Sequence, residues 1–231
     1  MIVDKLEDTL NGGYGGLYGE VVTEDTYGLR KIKGPIDVII DIGANVGCFT
    51  RFARELFPNA KIIAVEPDME NFIHLQKFTD SPNISFIRKA LGYGHVSRVR
   101  GAPNGAHESY LTPGPGLPER YLLATTEATP IEAVMLDELV NQYVLPGDRA
   151  IMKIDCEGAE NLIWGHKPSM EALKKMDYIM LELHYCVAVG DHAAIKDMCE
   201  KTVIGVMELT KTHDCEYEHI YFNAIRKQPW K

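Results

Sequence analysis

The stretch Val38-Ile39-Ile40-Asp41-Ile42-Gly43-Ala44-Asn45-Val46-Gly47-Cys48-Phe49 constrains the fold more than any other part of the chain. Gly34-Pro35 interrupts whatever precedes it, and the β-branched run that follows reads as a short buried strand. The glycines then open a helix that carries Phe49, Phe52, Ala53, Leu56 and Phe57 on one face. A strand, a glycine turn and a helix in succession belong to an α/β fold with a parallel sheet. Such a turn aims backbone N–H groups and the positive end of a helix at the sheet's carboxyl edge, so a small polar ligand is expected there. Asn45 and Cys48 stand where a dinucleotide-binding turn requires glycine, which argues against nicotinamide or flavin dinucleotides. No Gly-Lys-Ser/Thr follows the strand, so the phosphate-binding loop of nucleotide hydrolases is excluded as well.

Further strands follow in order. Pro58-Asn59 ends the helix, Lys61–Val65 forms a second strand, and Glu66-Pro67-Asp68 closes it. Glu66 lies about 20 residues beyond the glycine turn, where a strand-end acid can accept both hydroxyls of a ribose. A helix beginning near Met69 leads to a third strand, Ile84–Ile87, and the residues just past it, Ala90 among them, are expected beside an adenine. Residues 129–135 read as extended, a helix starts at Leu136, and Ala150–Ile154 is a strand running into Asp155-Cys156-Glu157-Gly158-Ala159-Glu160. Residues 170–176 read as helical, residues 178–184 as a strand ending in Glu182 and His184, and residues 191–201 as helical. The spacing predicts two closing strands, over 203–209 and 219–225, joined by a polar loop, with His213, Cys215 and His219 in or near it as solvated side chains.

Two segments fall outside this alternation. Residues 11–19 hold too many glycines for a stable element and form a Gly-rich N-terminal arm, about residues 1–30, that is either flexible or a lid over the ligand. Residues 101–118 are rich in Gly and Pro and contain His107, Ser109 and Tyr110, a long loop on which no secondary structure is forced.

With 231 residues, 45% of them hydrophobic, the chain suits one domain, residues 1–231. Its 24 basic against 33 acidic residues give a formal charge of −9, which disfavours nucleic acid and anionic membranes and favours small substrates. The 5 cysteines are scattered without a C-x-x-C pair, as in a reduced, cytoplasmic protein. No stretch is apolar for long enough to suggest a signal peptide or a membrane span. Composition leaves the oligomeric state open.

The pattern Asp41-x-Gly43-x-x-x-Gly47 resembles the first motif of Rossmann-like S-adenosylmethionine-dependent methyltransferases. Together with Val65-Glu66-Pro67, Met135-Leu136-Asp137-Glu138-Leu139, Lys153-Ile154-Asp155-Cys156-Glu157-Gly158-Ala159-Glu160 and Leu181-Glu182-Leu183-His184, in that order, it is similar to the FkbM family of methyltransferases across about residues 36–225. The resemblance implies a class I methyltransferase fold, with a doubly wound, mostly parallel seven-stranded sheet and helices on both faces. It also implies S-adenosylmethionine as donor and a hydroxyl on a small molecule or sugar as acceptor. Asp41, Gly43, Asn45, Gly47, Glu66, Pro67 and Ala90 are the expected donor-binding residues. Methyl transfer from a sulfonium is an in-line displacement, for which a protein supplies alignment, a site for the cation and a proton acceptor. Asp155, Glu157 and His184 are the candidates for that work, with His184 the better-matched base. Asp155, Glu182 and His184 can also hold a divalent metal, but a metal-free site is expected. Two other functions compete: a nucleotide-dependent oxidoreductase, and a non-catalytic protein that keeps the fold and binds a ligand.

Overall fold

The computed structural model describes residues 15–79, 81–92, 95–100, 109–112, 130–156, 159–184, 192–218 and 221–227. Glu157, Gly158, His107, His219 and the start of the Gly-rich arm therefore lie outside the described residues.

Seven strands form the main sheet: β1 (Val38–Ile42), β2 (Lys61–Val65), β3 (Ile84–Ile87), β8 (Ala150–Ile154), β9 (Tyr178–Glu182), β10 (His213–Glu218) and β11 (Tyr221–Arg226). Their order is β10-β11-β9-β8-β1-β2-β3. The pairs from β3 to β9 run parallel, while β11 is antiparallel to β9 and to β10. The chain winds outward from β1 in one direction through β2 and β3, then returns to β1's other side with β8. That reversal between β1 and β8 is the switch point at which such sheets collect ligands. A smaller sheet has the order β4-β7-β5-β6, from Ala90–Leu91, Pro130–Val134, His95–Arg100 and Ser109–Thr112 respectively.

Pleating divides the central strands between two cores. Val38, Ile40, Ile42, Ile63, Val65, Met152, Ile154, Ile179 and Leu181 share one, with Leu136, Leu139, Ile163 and Trp164 packed over them. Ile39, Ile62, Ile151 and Met180 face the other way, covered by Phe49, Phe52 and Ala53 of helix α1 (Cys48–Leu56) and by Val21, Tyr27 and Leu29 of the N-terminal segment. Each fully buried isoleucine contributes about 1.5 to 3 kcal/mol through area removed from water. Burial on both faces is why these strands read as continuous apolar runs rather than alternating ones.

Four expectations are corrected. Residues 15–23 and 29–31 are helical, with an α turn at Gly15–Tyr18, a π turn at Gly19–Thr23 and a 3₁₀ turn at Leu29–Lys31, and this segment packs into the second core. Within the Gly/Pro-rich stretch, Ser109–Thr112 is a strand paired antiparallel with β5. The 203–209 segment is the end of a long helix, His192–Leu209, and the closing hairpin is made by β10 and β11 instead. Thr202 and Leu209 are buried and Val206 is partly so, a spacing of three to four that marks one helix face. A Cβ on Gly205 would sit 2.2 Å from Cε3 of Trp164, so this glycine lets the helix approach the indole closely. Packing there overrides the β propensity of Val203, Ile204 and Val206. His213 belongs to β10, is fully buried, and places Nε2 2.8 Å from the Met176 carbonyl; burial lowers its pKa. It is a core histidine.

Candidate active site

Register brings the site residues into one row. Ile42 pairs with Val65 on one side and Ile154 on the other, and Ile154 pairs with Leu181. The next residues along these four strands are Gly43, Glu66, Asp155 and Glu182, side by side at the carboxyl edge. One row inward, Asp41 pairs with Lys153, and both are buried.

The glycine turn is held by its own amides. Gly43 and Ala44 donate to the Val65 carbonyl, Gly47 to Ala44, and Val46 to the Asn45 side chain. Asn45 donates its backbone N–H to Oε2 of Glu66 at 2.8 Å, and the N–H of Asp68 reaches Oε1 at 2.8 Å. The Asn45 amide of the turn is thus taken by the protein's own Glu66. Gly43 is required by the fold itself: its φ is +76°, and a Cβ there would lie 1.7 Å from the Asp155 carbonyl oxygen. Gly47, at φ +96°, caps α1 against Leu75 and Thr79. Asp41 accepts a hydrogen bond from Thr50 at 2.6 Å and lies 3.5 Å from Lys153, so it is a core anchor behind the turn. Pro67 links Glu66 to Asp68, whose side chain caps helix α2 (Met69–Phe78). Ala90 is fully buried beside Ile131 in the smaller sheet.

Burial pushes the Glu66 carboxyl up to about 7, against the pull of the Asn45 amide, the Lys153 charge and the Asn71 side chain. Lys153 would lose basicity by burial alone, but Asp155 and Asp41 outweigh that and hold it charged. Its Nζ donates to the Gly43 carbonyl at 2.7 Å and lies 3.3 Å from Oδ2 of Asp155.

Asp155 and His184 meet through Glu182 and through Tyr27, a side chain that sequence reasoning left without a role. The Tyr27 hydroxyl lies 2.9 Å from Oδ2 of Asp155 and 3.1 Å from Oε2 of Glu182. Burial, then the neighbouring Asp155 and Glu182 charges, raises its pKa well above the usual value, so it stays protonated. Nε2 of His184 lies 3.3 Å from Oε1 of Glu182, and its Nδ1 lies 3.1 Å from Oε1 of the fully buried Glu160. Glu160 also accepts the His184 backbone N–H at 2.6 Å. One ligand atom from each of Asp155, Glu182 and His184 can be chosen so that all lie within 4.8 Å of one another. Lys153 entered the sequence reading only as part of the motif that runs to Glu160; Tyr27, 128 residues from Asp155, carried no signal.

The family profile described as "Methyltransferase FkbM domain" matches residues 41–203, which span the row from Gly43 to Glu182. The chain belongs to the FkbM methyltransferase family. This FkbM chain accordingly has the class I methyltransferase fold, and the seven-stranded sheet is that fold's. Among curated proteins, none matches it. Solved structures similar to it include the precorrin-6y C5,15-methyltransferase of Geobacter metallireducens GS-15, at 16% identity and a TM-score of 0.40 over 86% of this chain and 85% of that one. Another is the ribosomal protein L11 methylase of Lactobacillus delbrueckii subsp. bulgaricus, at 10% identity and a TM-score of 0.37 over 88% of this chain and 77% of that one. Likenesses this distant carry no argument about the acceptor. Among the described residues, no helix is long and apolar enough to cross a membrane.

Proposed function

We propose that this FkbM methyltransferase uses S-adenosylmethionine to methylate a hydroxyl oxygen on a small molecule or sugar. The observation that supports it is the row of Gly43, Glu66, Asp155 and Glu182 along the sheet's carboxyl edge, with His184 just beyond. Glu66 suits the donor's ribose: two backbone amides and the Asn71 side chain take three of a carboxylate's about four lone-pair sites, and one remains for a ribose hydroxyl. The donor, when bound, supplies an electrophilic methyl group on a positively charged sulfur. Asp155 and Glu182 bring negative charge to that position, steadied by Tyr27 and Lys153. The acceptor hydroxyl is oriented at the Asp155–Glu182–His184 cluster and loses its proton there. A net charge of −9 suits an uncharged acceptor better than a polyanion.

Labelled methyl incorporation across sugars, phenols, peptides, polyketide-like alcohols and RNA tests this reading. The expected result is transfer to a hydroxyl compound, slowed by about 10² or more in Asp155→Asn. Transfer confined to RNA or peptide, or stabilisation by NAD but not by S-adenosylmethionine, refutes it.

A further inference from the structure

We propose that Asp155, Glu182 and His184 together bind a divalent cation, manganese or magnesium, at the carboxyl edge of β8 and β9. The three donors come from adjacent parallel strands, and their side chains are partly open, at 23%, 14% and 18% exposure, so an ion can enter from solvent. Donors around a six-coordinate ion at about 2.1 Å lie about 3 Å apart when adjacent and about 4.2 Å when opposite. A set already within 4.8 Å needs only side-chain rotation to close on one.

Each donor is held from behind, as metal ligands are. The Tyr27 hydroxyl lies between Oδ2 of Asp155 and Oε2 of Glu182 and donates to one of them, Lys153 adds to the hold on Asp155, and Glu160 grips the backbone N–H and Nδ1 side of His184. That hold turns Nε2 toward Oε1 of Glu182, on the side where the three donors converge.

The proton inventory at Tyr27 points the same way. A tyrosine hydroxyl has one proton, yet Tyr27 faces two carboxylates at hydrogen-bond distance, and only one of them can receive it. Among the described residues, Asp155 and Glu182 face one another with Asp41 close behind, and Lys153 and, when protonated, His184 are the cations beside them. A divalent ion between Asp155 and Glu182 satisfies both carboxylates at once. Two carboxylates and one imidazole, with remaining positions left to water or substrate oxygen, match the preferences of manganese and magnesium.

For catalysis this rests on the methyltransferase reading above, and it makes His184 a ligand rather than the base expected from sequence. The acceptor's hydroxyl oxygen coordinates the ion, which lowers its pKa, and releases its proton to water. That oxygen then bonds to the methyl carbon as the carbon–sulfur bond breaks, and the bond's electron pair stays on sulfur.

Titration of the full chain with manganese, followed by the electron paramagnetic resonance of free Mn²⁺, tests the site. The expected result is one tight site per chain, weakened at least tenfold in Glu182→Gln and in His184→Ala. Electron spin-echo modulation of the wild-type complex should show a single imidazole nitrogen, which reads His184 ligation even if a variant fails to fold. Absence of a tight site, or a site without nitrogen coupling, overturns the proposal. Methyl transfer at full rate in excess chelator would overturn the catalytic role and leave the methyltransferase reading standing. A manganese site with nitrogen coupling but no methyl transfer to any acceptor would leave the metal site standing and overturn the methyltransferase reading together with the ion's catalytic role.

Discussion

Glu66 ties donor binding to pH in a way that can be worked through from the structure. Its carboxyl is 5% exposed, and burial raises it from the ordinary 4.5 to about 7. A rise of that size corresponds to about 3 kcal/mol, at about 1.4 kcal/mol per pH unit. The sign follows from proton counting. Between pH 4.5 and 7 the folded state binds more protons at this site than the unfolded state, so Glu66 makes stability fall as pH rises through that window and adds no further change above it. A ribose hydroxyl donates to the ionised form, so the bound donor pulls the pKa back down and its binding releases a proton. Affinity for S-adenosylhomocysteine should therefore rise with pH, by up to about tenfold per unit below pH 7, and level off above it. Calorimetry from pH 5.5 to 8.5 measures this directly. Glu66→Gln should bind more weakly at pH 8, lose the slope, and lose the matching slope in denaturant stability. Affinity that is flat with pH in the wild type, or an unchanged slope in Glu66→Gln, refutes the assignment of Glu66 to the ribose.

Two further predictions concern the scaffold behind the site. Gly43→Ala should lower stability by about 3 kcal/mol or prevent folding, because the new Cβ meets the Asp155 carbonyl and the residue keeps a positive φ; urea denaturation checks it, and a variant as stable as the wild type refutes it. Lys153→Met should cost about 3 to 5 kcal/mol by leaving Asp41 buried without its cation, a loss that guanidinium denaturation would show as a lower midpoint.

Most of the sheet was legible because its strands are short apolar runs between glycine and proline punctuation, and because strand-end residues in a doubly wound sheet fall at one edge. Gly43, Glu66, Asp155, Glu182 and His184 could be placed there from their positions after strands alone. The helix ending at Leu209 could not, since Val203, Ile204 and Val206 favour a strand locally and only contact with Trp164 decides otherwise.

What the sequence determined by itself was therefore local: which segments bury their side chains, where the chain must turn, and which charged groups close each strand. What only the tertiary structure decided was pairing at a distance. Tyr27 reaches Asp155 and Glu182 from an arm far away in sequence, Asn45 and Asp68 present their amides to Glu66, and Glu160 orients His184. Periodicity records how buried a residue is, whereas the partner of a buried polar group is set by strand order and register, which bring together residues that sequence spacing keeps apart.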